Sequence, residues 1–110
     1  MAISHTVIAH YTALHTEVAD CVLLMQVGVF MQVFNEDARA VSQVTGLKLR
    51  MTGDVDAPVV VGGFPVTGLD TYVGRLVRAG HSVAIAMQDE HKARLITEII
   101  RVQRPRDGTL

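Results

Sequence analysis

A chain of 110 residues is long enough for one small domain with its own core and too short for two. Hydrophobic residues make up 49% and charged residues 19%, which excludes a disordered chain. The formal net charge of -1, from 10 Lys+Arg against 11 Asp+Glu, excludes a global positive field, so any nucleic acid would have to be held by a local patch.

The elements follow in chain order. Ser4 is the expected N-cap of a first helix in which Val7, Ile8, Tyr11, Leu14 and Val18 share one face. Cys21 to Val27 is a short, mostly apolar run, as in a strand covered on both faces. Gly28 interrupts it, and Val29 to Phe34 is a second extended piece. Asn35 is the expected capping residue of a second helix, with Glu36 and Asp37 in its first turn, where the helix dipole favours negative charge, and Gly46 at its end. Leu47 to Met51 and Pro58 to Val61 read as strands around a polar turn at Gly53 to Asp56, and Gly62, Gly63 and Pro65 as a tight loop. Leu69, Tyr72, Val73, Leu76 and Val77 define a third helix that Gly80 closes. Ser82 to Met87 and Leu95 to Val102 are the closing strands, joined through the polar Gln88 to Lys92. The expected fold class is α/β: a mixed sheet of about six strands covered by three helices, in a single domain over residues 1–110, with 104–110 as a frayed polar tail.

Little in this sequence points to catalysis. His5, His10 and His15 recur every five residues, which turns each side chain by about 140° around a helix, so the three do not share a face and no metal or cofactor is expected. Cys21, Ser42 and Ser82 lie in no nucleophile motif, and Gly62-Gly63 matches neither a phosphate-binding loop nor a dinucleotide fingerprint. The lone Cys21, within an apolar run, is expected as a buried, inert thiol. The acidic pairs Glu36-Asp37 and Asp89-Glu90 sit at element ends, where caps and turns account for them. The expectation is a non-enzyme in the cytoplasm: the start of the chain lacks the pattern of a signal peptide, and no segment reaches the length needed to cross a bilayer.

The informative segment is Gly28-Val29-Phe30-Met31-Gln32-Val33-Phe34. Alternation in a strand puts Phe30, Gln32 and Phe34 on one face and Met31 and Val33 on the other. Two readings stand on residue type alone: two core phenylalanines beside an edge glutamine, or an aromatic and an amide offered together to a ligand.

Gly28-Val29-Phe30-Met31-Gln32, running through Phe34 into Glu36-Asp37-Ala38, resembles the hallmark Gly-Asp-Phe-Tyr-Glu strand of the N-terminal domain of the MutS family of mismatch-repair proteins. Gly63-Phe64-Pro65 leading to Tyr72 and Leu76-Val77 is similar to the family's Gly-Ile-Pro stretch and the helix after it. Gly80-His81-Ser82-Val83-Ala84-Ile85-Ala86-Met87-Gln88 resembles its Gly-Glu-Ser-Val-Ala-Ile-Cys-Glu-Gln, and Ile99-Ile100-Arg101-Val102 its closing strand. The four blocks occur in the family's order and cover nearly the whole chain.

The resemblance implies a module that recognises mismatched, bulged or distorted duplex. In that family the Phe of Phe-x-Glu wedges into the minor groove and stacks on the mispaired base, while the Glu hydrogen-bonds to it. The matching positions are Phe30 and Gln32, with Met31 between them, and Lys48 and Arg50 stand near the family's Lys-Arg. A lesion lowers the cost of unstacking, so an apolar wedge selects sites by deformability. This chain departs from the family in having Gln32 for the carboxylate, Val29 for the acid before the Phe, Met31 for the tyrosine and Gln26 for a basic residue. Gln32 keeps an acceptor and adds two donors, but it lacks the charge that repels ordinary duplex.

Arg101, Arg104 and Arg106 offer further charge near the C-terminus. A domain without a connector or ATPase beside it is expected to pair with a second copy or with an ATPase-containing repair partner. The alternative is a protein-interaction or regulatory subunit that has lost mismatch recognition, with Phe30 as core or interface. Met1 stands where a natural start is expected, which suggests a complete small gene product; a piece of a longer repair protein is the other expectation.

Overall fold

A computed structural model describes residues 5–102, which form a six-stranded sheet with helices on both faces. The elements are α1 (His5–Glu17), β1 (Val22–Val27), β2 (Phe30–Phe34), α2 (Asn35–Thr45), β3 (Arg50–Asp54), β4 (Ala57–Pro65), a short 3-10 turn Val66–Gly68, α3 (Leu69–Arg78), β5 (Val83–Gln88) and β6 (Arg94–Ile100). The strand order is β3-β4-β2-β1-β5-β6. The β1–β5 pair is parallel and every other pair antiparallel, so the sheet is mixed, as expected.

The central strand explains the two-sided core. Val22 to Met25 are all buried, and their side chains alternate between two clusters. Val22 and Leu24 join Met31, Val33, Ala38, Val41, Phe64 and Leu76 on the face covered by α2 and α3. Leu23 and Met25 join Tyr11, Leu14, Val18, Phe34 and Val61 on the face of α1. Cys21 is buried in this second cluster, and that burial pushes its thiol pKa up, as for an inert core thiol.

The helix ends give two expected outcomes and one correction. Gly46 closes α2 at φ +78°, its N–H reaching Ser42 O at 2.8 Å. Gly80 adopts φ +95° after α3, its N–H reaches Val77 O at 3.0 Å and the N–H of His81 reaches Leu76 O at 2.9 Å, a Schellman closure. Asn35, expected as the capping side chain of α2, does not cap it. The N-cap position falls on Phe34, Asn35 takes a left-handed φ of +53°, and its Oδ1 accepts the Val60 N–H at 3.2 Å. Asparagine tolerates that backbone, and its amide satisfies a β4 donor instead of a helix donor. The expected cap Ser4 lies outside the described residues.

Two further expectations are corrected in the β3–β4 region. Gly62, Gly63 and Pro65 lie in β4, not in a loop, and the strand pairs through them to β2. Neither glycine has positive φ; both give close approach instead. A Cβ on Gly62 would stand 2.7 Å from Leu47 Cδ2 and 2.8 Å from Leu49 Cδ2. The hairpin turn is confined to Val55 and Asp56, with Gly53 opposite Pro58 and Asp54 opposite Ala57, and the pairing begins at Arg50 opposite Val61, so β3 starts at Arg50 and not at Leu47. The expected tail 104–110 lies outside the described residues.

Candidate nucleic-acid interface

The β1–β2 hairpin carries the most informative segment of the sequence. Val27 pairs with Phe30, leaving Gly28 and Val29 as the two-residue turn. Gly28 has φ +64° and Val29 does not have positive φ, which suits a hairpin turn with glycine first. The turn is held from both sides. Gly28 N–H donates to Gln88 Oε1 at 2.8 Å, and Gly28 O accepts Gln26 Nε2 at 3.0 Å. Gln26 Oε1 takes the Gln88 backbone N–H at 2.7 Å, and Arg94 Nε donates to Gln26 O at 2.8 Å. On the far side, Val29 O accepts the N–H of Val66 at 2.9 Å.

From this braced tip the apolar side chains stand out into solvent. Val29 is 74% and Phe30 45% exposed, whereas Phe34, four residues on along the same face, is buried against Tyr11 in an edge-to-face contact with ring centroids 4.8 Å apart. Alternation holds as expected: Phe30, Gln32 and Phe34 share the α1 face, and Phe30 is no core residue. Helix α1 packs chiefly on β1 and β6 and reaches the far ends of β2 and β4 through Tyr11, which clusters with Phe34 and Val61.

Gln32 lies between the two phenylalanines in register with Met25 on one side and Gly63 on the other. It is only 9% exposed, and its buried Oε1 has no hydrogen-bond partner among the described residues. The amide lies flat on Gly63: a Cβ there would meet Oε1 at 3.1 Å and Cδ and Nε2 at 3.3 Å each. A buried acceptor without a donor costs roughly 1–3 kcal/mol.

The remaining expected site residues separate. Arg50 is exposed on β3, opposite Val61, which is opposite Phe34, so Arg50 belongs to the same face as Phe30 and Gln32. Lys48 is exposed two residues earlier, between Leu47 and Leu49, which pack into the opposite core. Met31 is corrected: it is fully buried among Val33, Leu24 and Phe64 on the α2–α3 face, because alternation that exposes Phe30 turns its neighbour inward. Arg101 pairs with Asp20 through Nε–Oδ2 at 2.8 Å, and this hydrogen bond holds the Asp20 carboxyl below its ordinary range. Arg104 and Arg106 lie outside the described residues.

The histidines and acids have other roles. His15 Nε2 lies 2.9 Å from Asp37 Oδ2, while His10 Nδ1 faces Arg94 at 3.3 Å. Asp37 also accepts the Leu23 N–H at 3.0 Å, and the Tyr11 hydroxyl lies 2.9 Å from it and 2.6 Å from Leu23 O. This carboxylate therefore ties α1, β1 and α2 together. A polar cleft of about 460 Å³ beside Asp20, Cys21, Asp37, His81 and Ser82 opens at the other end of β1 from Phe30. The carboxylates bordering it are engaged with Arg101 and with the Tyr11 network.

Sequence reasoning does not find Gln26, Gln88 and Arg94 as a group. Gln88 and Arg94 lie 62 and 68 residues from Gln26 in sequence, and they meet it through the parallel β1–β5 pairing and the β5–β6 pairing beside it, which no local periodicity encodes.

Residues 5–105 match the family model described as MutS domain I. The chain is similar to proteins named DNA mismatch repair protein MutS. It is 41% identical over 83 residues to that of Porphyromonas gingivalis, covering 74% of this chain and 9% of the relative. With that of Cytophaga hutchinsonii it is 42% identical over 81 residues, 73% of this chain and 10% of the relative. With that of Methanothrix thermoacetophila it is 37% identical over 101 residues, 86% of this chain and 12% of the relative. The chain thus spans about a tenth of the length of these relatives.

Proposed function

Since this chain belongs to the MutS domain I family, we propose that it is a non-catalytic DNA-binding module that senses mismatched, bulged or distorted duplex with Phe30. The observation that carries the reading is an aromatic ring left 45% exposed at the tip of a hairpin whose backbone is bonded on both sides. A large apolar side chain held out on a rigid turn has the form of a wedge, and stacking on a base contributes about 1–3 kcal/mol.

Gln32 supplies the polar half of the recognition. Its Oε1 is buried and has no partner among the described residues, so the side chain must turn outward from Gly63 for its acceptor and amide donors to meet the edge of an extruded or mispaired base, which would then satisfy that acceptor. Arg50, on the face of Phe30 and Gln32, and Lys48, exposed just before β3, are the phosphate contacts of this reading; with so few, binding is weak and salt-sensitive. A second copy of the chain or an ATPase-containing repair protein, acting in the cytoplasm, would add the contacts that one domain lacks.

Fluorescence anisotropy with matched, mismatched, single-base-bulge and single-stranded oligonucleotides, at low and physiological salt, tests the proposal. Preference for distorted duplex that disappears in Phe30→Ala supports it. Absence of binding to every form at low salt overturns it and leaves the protein-interaction reading.

A further inference from the structure

The two glutamines that enclose the hairpin turn do more than satisfy stray backbone groups. Both polar groups of Gly28, its N–H and its C=O, are taken by side chains: the first by Gln88 at 2.8 Å, the second by Gln26 at 3.0 Å. The two glutamines are joined to each other through the Gln88 N–H and Gln26 Oε1 at 2.7 Å. The arrangement is a closed ring in which each amide bridges the turn and the neighbouring strand. Phe30 is two residues beyond Gly28, and its own strand neighbours, Val27 and Pro65, give it backbone pairing but leave the ring exposed.

From this geometry we infer that Gln26 and Gln88 are positioning residues for Phe30, an amide clamp that fixes the direction in which the hairpin presents its aromatic ring to DNA. The inference rests on the reading of Phe30 as the wedge. A wedge that parts two stacked bases meets resistance, and a two-residue turn on flexible ends would yield before the stack does. A turn bonded at both groups of its glycine, and at Val29 O by Val66, transmits the contact to β5 and the sheet. The glutamine side chain suits this role because one amide both donates and accepts, so Gln26 can hold Gly28 O and the Gln88 N–H at once.

The test uses the full chain with Gln26→Ala, Gln88→Ala and Gln88→Glu, the last keeping an acceptor for Gly28 N–H. Two quantities are read: amide exchange at Gly28 by NMR, and the ratio of affinities for single-base-bulge and matched duplex. In Gln88→Ala the Gly28 amide should exchange about tenfold faster while the Leu24 amide keeps its protection. The affinity ratio should fall roughly fivefold, the weight of one net hydrogen bond. Gln88→Glu should restore both, because the added charge weakens bulged and matched binding alike and cancels in the ratio. Unchanged Gly28 exchange in both alanine variants overturns the clamp. So does faster exchange with an undiminished ratio in a protein whose Phe30→Ala variant has lost that ratio. If the wild-type chain itself does not discriminate, the DNA reading falls and takes the clamp's role in recognition with it. The Gly28 exchange then reports only on how the turn is held, so the two failures are told apart.

Discussion

The amide of Gln32 rests on the α-carbon of Gly63, with Oε1 3.1 Å from where a Cβ would stand. The pair is adjacent in register across β2 and β4, and Gly63 is the reason so large a polar side chain can lie flat on the sheet face beside Phe30. Gly63 is not in the left-handed region, so alanine there meets a packing conflict and no backbone strain. Gly63→Ala should therefore cost about 1 kcal/mol, the low end for overpacking, because the crowded atoms are the end of the Gln32 side chain. It should nevertheless shift the Gln32 amide and lower discrimination between bulged and matched duplex. Urea denaturation together with anisotropy titration checks both halves.

The buried, unpaired Oε1 of Gln32 destabilises the unbound protein. Replacing the amide by an apolar side chain of similar length removes that cost. Gln32→Met should stabilise the fold by roughly 1–2 kcal/mol while reducing affinity for mismatched duplex. A Gln32→Met protein that is less stable than wild type would contradict the assignment of an unsatisfied acceptor.

Lys48 and Arg50 are read as phosphate contacts, which carry affinity but no sequence or lesion information. Lys48→Gln and Arg50→Gln should each weaken binding to matched and bulged duplex equally. Each should also reduce the slope of log K against log salt by about 1. A change in the bulged-to-matched ratio would assign the side chain to base recognition instead.

Burial, and then the nearby Asp37 charge, raise the Tyr11 pKa well above its ordinary value of 10.0. The folded state thus favours the neutral phenol, while the unfolded chain ionises near 10. The stability from this group is complete below pH 10 and is lost as pH rises toward the higher folded value. Tyr11→Phe should cost about 1 kcal/mol at neutral pH through the lost hydrogen bond. It should also flatten the alkaline fall in stability, measured by denaturant titration from pH 8 to beyond 10.

Local rules recover the parts of the fold that depend on neighbours in sequence. The apolar run Val22 to Met25 of β1, the glycine closure of α3 and the face shared by Phe30, Gln32 and Phe34 all follow from periodicity and backbone chemistry. What depends on distant pairing is hidden. Asn35 has the residue type and position of a cap, but the partner of its side chain is Val60, 25 residues away. Gly62 and Gly63 resemble a loop because glycine is the usual turn residue; here they make room for Leu47, Leu49 and Gln32. Met31 enters the expected site through its place in the motif, although the alternation that frees Phe30 sends it to the core. The Gln26–Gln88 contact has no signal in the sequence pattern, since only the parallel β1–β5 register brings it about.

The chain contains no tryptophan, so Phe30→Trp places a single indole reporter at the tip of the hairpin. With saturation established by anisotropy on labelled duplex, the account predicts that a single-base bulge or mismatch strongly quenches the indole emission through stacking, and that matched duplex leaves it nearly unchanged. Equal emission in the free, matched-bound and bulge-bound protein, at concentrations where binding is complete, would contradict the claim that residue 30 inserts at the lesion.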